Sequence, residues 1–294
     1  MNTNMIETEE MGTLFKKIRL SKKLSLKDVA GDYLSVSFLS KFERGESEIT
    51  LSRFLLLLDN LDVSIEEFYG ILSKGHATKT EKLIEKVSKS FQENNLLALK
   101  KYYKEEIGAY NETGNKTYLY NAIMIESFMV SLTGETITEE KVSHITDYLF
   151  GIEQWGKREL IIFGNSMTAI STEALNILIK EIVYKTVLFG NDESNKRIRI
   201  GLVINAISVY LDREQLELAK LYLDIISDMS IPETFLYERF EYRFLLGLYW
   251  IKSGKIAIGK KKVESALGSI RALGVENLLI AREDIYENIL GSLK

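Results

Sequence analysis

From Met11 onward, apolar residues recur three and four positions apart, the spacing of one buried face of an α-helix. Met11, Leu14, Phe15 and Ile18 make the first stripe. Leu26, Val29 and Ala30 make a short second one. It follows Ser25, whose partner three residues on, Asp28, is a shorter relative of the capping-box glutamate. Phe38, Leu39 and Phe42 form a third, behind Ser35 or Ser37 as N-cap and ahead of Gly45, which can end a helix at positive φ. Leu51, Phe54, Leu55 and Leu58 carry a fourth as far as Leu61. Ser64 and Glu67 form a capping box for a fifth, through Phe68 and Tyr69. Five short helices whose apolar faces must meet predict a compact bundle over residues 1–72.

The stretch "SKGHATKT" from Ser73 interrupts the pattern and reads as a linker over 73–79, with His76 a surface linker residue rather than a ligand. Beyond it, over 80–294, longer stripes predict helices near 79–92, 95–109, 115–132, 137–150, 155–164, 168–188, 195–211, 214–228, 233–253, 256–272 and 276–291. Short turn-like breaks separate them, among them "NETGN", "TGET", "FGND", "KSGK" and "LGVEN". Pro232 is the only proline, so long helices are permitted throughout. Helix pairs joined by short turns cannot bury both faces alone, and stacking them does so. From Lys196 onward successive pairs recur at about 40 residues, near the tetratricopeptide period. The fold expected is all-α, a five-helix bundle followed by a superhelix of tetratricopeptide-like pairs.

Composition narrows the chemistry. A chain of 294 residues suggests two domains, and 46% apolar with 27% charged residues suits an ordered one. Without cysteine there is no disulfide or thiolate site, and His76 and His144 leave little for a metal. No metal or cofactor is expected. Met1 to Glu10 is polar and acidic, unlike a secretory signal, and "FLLLLDNL" is too short to span a bilayer. No membrane role and a cytoplasmic location are expected. The net charge of −4 argues against nucleic acid unless a local patch supplies the affinity. Lys16, Lys17, Arg19, Lys22, Lys23 and Lys27 make such a patch, with no acid before Asp28. A solvated helix face is the plainer reading of that run.

The stretch from Gly12 to Phe68 resembles the five-helix, lambda-repressor-like DNA-binding domain of phage repressors and XRE-type regulators. More narrowly, "SLKDVAGDYLSVSFLSKFERGESEI" with "FLLLLDNLDVSIEEF" resembles the Rgg/MutR group of Gram-positive transcriptional regulators, many of them controlled by short secreted peptides. The later chain agrees more loosely, in length, helical texture and "WGKRELIIFGNSM". The resemblance implies a structural pair between Arg19 and Glu43, with Arg19 also in reach of a phosphate. It implies base-edge contacts from Val36, Ser37 and Lys41, and phosphate contacts from Ser35 and Arg44, with Lys22 and Lys23 outside them. Val36 offers only apolar contact, for instance to a thymine methyl. A homodimer would double the phosphate contacts and read a palindromic operator.

The resemblance also implies a short hydrophobic signalling peptide in the groove of the second domain. Candidate contacts are Tyr120 and Asn121, Arg158, Arg199 and Asn205, then Tyr237, Arg239, Tyr242 and Arg243. Asparagine amides can satisfy a peptide backbone, and a cation can hold its carboxyl end. Arg199 and Asn205 stand roughly 120° apart on a helix. Gly190 and Gly201 could allow close approach. The plainer reading is that the arginines are solvated and the aromatics fill gaps between helices. An apolar stripe near the C-terminus, including Leu267, Ile270, Leu273, Leu278, Ile285 and Ile289, leans towards a subunit interface.

No catalytic set is visible. "SGK" at Ser253 lacks the glycines and strand of a phosphate loop, and adjacent carboxylates such as Glu139 and Glu140 diverge on a helix. An enzyme is not expected. Two alternatives to a peptide-controlled regulator stand: a DNA-binding regulator whose second domain only dimerises, and a helical-repeat protein-binding scaffold.

Overall fold

The computed structural model describes residues 8–72, 79–184 and 193–292, and within them the chain is sixteen α-helices with no strand. The expected linker residues 73–78, with His76, and Gly190 lie outside the described residues. The chain divides into two compact units, Met1–Lys86 and Val87–Lys294.

The first unit contains α1 (Thr8–Ser21), α2 (Leu26–Ala30), α3 (Val36–Glu43), α4 (Leu51–Leu61) and α5 (Ile65–Leu72). Local chemistry sets their starts. The Asp28 amide donates to Ser25 Oγ at 3.2 Å and the Ser25 amide to Asp28 Oδ2 at 2.7 Å, a complete capping box. Of the two serines that could cap α3, Ser35 does so, accepting from the Phe38 amide at 3.1 Å. The Glu67 amide donates to Ser64 Oγ at the start of α5. Gly45 leaves α3 at φ +73°, a region that strains residues with a Cβ.

Phe15, Phe42, Phe54 and Phe68 meet edge-on or tilted at the centre of this unit, with centroids 4.9–6.3 Å apart. Such pairs contribute about 0.5–1.5 kcal/mol each beyond area burial. Helices α1 and α3 cross at Gly12, where an added Cβ would lie 2.0 Å from the Phe42 carbonyl oxygen. That crossing sets how α3 stands on the bundle.

The second unit begins within α6 (Lys79–Gln92). It continues with α7 (Leu96–Thr113), α8 (Lys116–Thr133), α9 (Glu139–Phe150), α10 (Lys157–Ser166) and α11 (Thr172–Tyr184). After the second gap come α12 (Glu193–Asp212), α13 (Leu216–Asp228), α14 (Leu236–Lys252), α15 (Ile256–Ala272) and α16 (Glu276–Gly291). Several successive helices pack against each other as hairpins, α7 with α8, α12 with α13 and α14 with α15 most extensively. In addition α8 packs on α10, α10 on α12, and α12 on α14, so alternate helices stand side by side in one row. This is the layered packing of helix-pair repeats.

Long-range polar contacts follow the repeat. Arg197 Nε donates to Glu238 Oε1 at 2.7 Å, Arg282 Nε to Glu241 Oε1 at 2.9 Å, and Arg213 Nη1 to Thr172 Oγ1 at 3.2 Å, each spanning 41 residues. Glu238 and Glu241 are buried one turn apart on α14, so that helix is fastened to α12 on one side and α16 on the other.

Close approach occurs where the helices lack a side chain. A Cβ on Gly164 would lie 2.7 Å from Leu202 Cδ2, and Gly247 and Gly259 bring α14 against α15. Gly201, expected to allow close approach, has open space beside it. The C-terminal apolar stripe is divided. Leu267 and Ile270 are core, Ile285 and Ile289 face α12 across a cavity, and Leu273 is exposed. Most of that stripe is spent inside the unit.

Candidate functional site

Two surfaces collect the chemistry, one in each unit. In the first, α3 turns Leu39 and Phe42 into the core and leaves Val36, Ser37 and Lys41 exposed along its outer face. The three lie at the first, second and sixth positions of the helix, so they share its N-terminal and central surface. Phe38 is half-buried at the edge, with the Arg53 guanidinium 5.8 Å above its ring. Arg53 is an exposed cation of α4 beside the start of α3, and the basic run in the sequence did not include it.

Arg19 is not on that surface. It is 6% exposed and Glu43 4%. Its Nε donates to Glu43 Oε1 at 2.6 Å, its Nη2 to Glu43 Oε2 at 2.8 Å and its Nη1 to the Leu24 carbonyl at 2.7 Å. The carboxylate holds the guanidinium above its ordinary range. All three nitrogens are engaged inward, which corrects the expectation of a phosphate contact: Arg19 is a strut between α1 and α3. Lys22 is exposed, with Nζ donating to the Asp62 carbonyl at 2.8 Å at the end of α4. Lys16, Lys17, Lys23 and Lys27 are exposed. Arg44, just past α3, is exposed and holds Glu46 bidentately, at 2.6 and 2.7 Å, with Ser40 Oγ on its third nitrogen at 2.6 Å.

In the second unit the alternate helices line a groove. A cavity of about 170 Å³ lies between α12, α14 and α16, bounded by Asn205, Ser208, Tyr237, Glu241 and Arg282 among others. A second, of about 280 Å³, lies between α6, α8, α10 and α12, with Phe91, Phe128, Ser131 and Asn165 in its walls. Asn205, Ser208 and Asp212 border both. Spaced three and four apart, they form one stripe of α12. Isoleucines and leucines line the first cavity beside these polar groups, the mixture that an extended apolar peptide needs.

Charge in the groove is largely internal. Arg282 is committed to Glu241, and burial together with that carboxylate raises the Tyr237 phenol. Asp212 opens to the groove, yet the protein around it raises its pKa by desolvation, against the pull of Lys252 and Arg213.

The expected peptide contacts do not share one site. Asn205 and Tyr237 line the first cavity. Arg239, Tyr242 and Arg243 project from another face of α14 into a separate depression against the end of α13, so they do not join Tyr237. Arg199 turns to the Val183 carbonyl at 3.1 Å and lies apart from Asn205. Tyr120 is buried and stacked on Tyr148 at 4.2 Å. Asn121 is buried and donates to Glu106 at 2.8 Å. Arg158 belongs to the Tyr120–Tyr148 cluster, in which burial, followed by the bond to Glu159, pushes the Tyr148 phenol up to about 12. The groove instead uses the C-terminal half of α8, through Phe128 and Ser131. Ser208, Asp212, Glu241 and Arg282 were not singled out in the sequence. The one local signal for the first two is their spacing from Asn205.

Among the described residues no helix is long and apolar enough to cross a membrane, and no group of three or more histidines and acids could hold a metal.

Comparison with known proteins agrees with this division. Residues 15–68 match a helix-turn-helix family, and residues 98–283 match the C-terminal domain of the HTH-type transcriptional regulator Rgg. The crystal structure of the SHP pheromone receptor Rgg2 of Streptococcus dysgalactiae is 30% identical, covers 95% of this chain and 99% of its own, and has a TM-score of 0.78. A Listeria monocytogenes EGD-e protein shares the fold at 20% identity, with 97% and 98% of the two chains covered and a TM-score of 0.78. PrgX in its complex with cCF10 shares it at 16% identity, 96% and 92% coverage and a TM-score of 0.75. With a helix-turn-helix bundle at one end and the matching helical unit over most of the remainder, the chain belongs to the Rgg family of helix-turn-helix transcriptional regulators.

Proposed function

We propose that this regulator works as a cytoplasmic homodimer that reads a palindromic operator and responds to a short apolar peptide. In this reading 1–72 is the DNA-binding domain, 73–79 the linker and 80–294 the regulatory and dimerisation domain. Its work is binding rather than catalysis, as in the family at large.

The DNA reading is supported by one observation above all. Ser37 and Lys41 face outward while Leu39 and Phe42 anchor the same helix from within. Such a helix can enter a major groove without disturbing its own core. Val36, Ser37 and Lys41 then meet base edges. Ser35, Arg44, Lys22 and Lys23 contact phosphates and set register. Lys41→Ala is expected to cost about 1–3 kcal/mol on the operator and much less on scrambled DNA. Lys23→Ala is expected to weaken both about equally and to flatten the salt dependence by roughly one phosphate. Fluorescence anisotropy against the two duplexes over a salt series measures this. Identical behaviour of the two variants would refute the assignment of readers.

The peptide reading is supported by the groove that alternate helices share, and by the likeness to Rgg2, an SHP pheromone receptor, and to PrgX in its complex with cCF10. Peptide acts by binding one arrangement of the dimer better than another. Asn205→Ala removes an amide that borders both cavities. It is expected to weaken, by roughly tenfold, the binding of a labelled short apolar peptide that the wild type holds, the loss of one or two backbone hydrogen bonds. Arg239→Ala, in the separate depression, should change it little. The opposite ranking would move the site to the α13–α14 face.

A further inference from the structure

Arg44 stands where a phosphate contact is expected, but one two-pronged edge of its guanidinium, Nε with Nη2, is already occupied. The Glu46 carboxylate receives the Nε and Nη2 protons at 2.6 and 2.7 Å, and Ser40 Oγ receives one from Nη1 at 2.6 Å. A guanidinium has five N–H donors in a planar fork, and three are used here. The fork grips a carboxylate in the same two-pronged way that it grips a phosphate. Glu46 is held in the charge field of Lys41 as well, and its bond to Arg44, followed by these charges, keeps its pKa below the ordinary range. One acid is therefore paired with the cation just past the end of α3 and feels the charge of Lys41 on that helix.

We propose that Glu46 is a built-in stand-in for DNA phosphate, which occupies Arg44 in the free protein and suppresses binding to DNA of any sequence. The proposal rests on the phosphate role of Arg44 given above. Geometry favours competition. Both partners are solvent-exposed, at 48% and 52% of their side-chain surface, so neither is locked by the core and the pair can open. Exposed pairs of this kind are weak, so a duplex can displace Glu46 at a modest cost. The cost is paid at every phosphate position alike, at the operator as in any other sequence. Glu46 thus lowers background and operator binding by about the same factor, and sets the overall affinity and its salt dependence rather than the ratio between the two.

The test uses the full chain and a duplex of random sequence, with anisotropy read across a salt series. E46Q keeps the shape and removes the charge. It is expected to bind about threefold more tightly than wild type, with a log–log salt slope steeper by about 0.9 for each phosphate contact regained. E48Q, an exposed acid two residues on, controls for net charge. In an R44Q background the gain from E46Q should vanish, because the competitor has nothing left to hold. An E46Q chain that binds no better than E48Q overturns the proposal. So does a gain that persists in R44Q, which would be bulk repulsion, or a loss of affinity, which would make Glu46 a buttress. An R44Q chain that binds as tightly as wild type removes the phosphate role of Arg44 and the proposal with it. Far-ultraviolet circular dichroism of each variant confirms that the bundle is folded.

Discussion

Glu43→Ala is expected to destabilise the first unit by about 3–5 kcal/mol, enough to leave it largely unfolded under conditions where the second unit persists. The reason is what the change leaves behind. Arg19 is 6% exposed and would keep its charge with two of its three hydrogen-bonded nitrogens unpaired. Water cannot reach them without opening the crossing of α1 and α3. A small unit of five short helices has little stability in reserve. Replacing both partners by apolar residues of similar size, Arg19→Met with Glu43→Leu, is expected to be neutral or stabilising, because the desolvation of two charges then disappears. The double variant should therefore fold while Glu43→Ala does not. Because the chain has two units, a single unfolding free energy is poorly defined. Hydrogen exchange of the α1 and α3 amides in the full chain isolates the effect. A loss under about 1 kcal/mol for Glu43→Ala would mean that the pair is not held as tightly as its geometry indicates. DNA binding by the folded double variant would then show what the pair adds beyond stability, namely the angle at which α3 is presented.

Gly259→Ala is the second large effect, and its sign runs against helix propensity. Alanine in place of glycine inside a helix normally stabilises by about 1 kcal/mol. At Gly259 the new Cβ would lie 2.5 Å from Ile251 Cγ1, 2.6 Å from the Gly247 carbonyl oxygen and 2.7 Å from the Ile251 amide nitrogen. Two of those three are backbone atoms, so relief requires α14 and α15 to move apart, at a cost of about 1–3 kcal/mol. Gly268 lies further along the same helix, with nothing within 4 Å of the Cβ position. Gly268→Ala should raise the denaturation midpoint of the second unit while Gly259→Ala lowers it. Urea titrations of the two variants compare them directly. Equal shifts would show that the close approach of the hairpin costs nothing to relax. The change at Gly259 also reaches the groove, since α14 carries Tyr237, Glu241, Phe244 and Leu248 along its wall.

Much of the architecture is written in local pattern. Stripes at three- and four-residue spacing placed the helices within a few residues, because helix formation depends on neighbours in the chain. Ser25 with Asp28 and Ser64 with Glu67 marked two starts by side-chain chemistry alone. The outward placement of Ser37 and Lys41 follows from the same periodicity once Leu39 and Phe42 are known to be inside. Only tertiary structure decided which face of a long helix looks into the groove. On α12 the apolar residues run nearly all round, so Arg199 and Asn205 gave no sign that one turns to α11 and the other to the cavities. On α14 the basic and aromatic cluster Arg239, Tyr242 and Arg243 drew notice, while the groove wall is its other face, built on a buried glutamate paired to an arginine 41 residues away. Pairings at that distance have no local spacing to betray them. They exist because stacked repeats bring alternate helices together, and the energy of burying a charge is settled by the partner that stacking supplies.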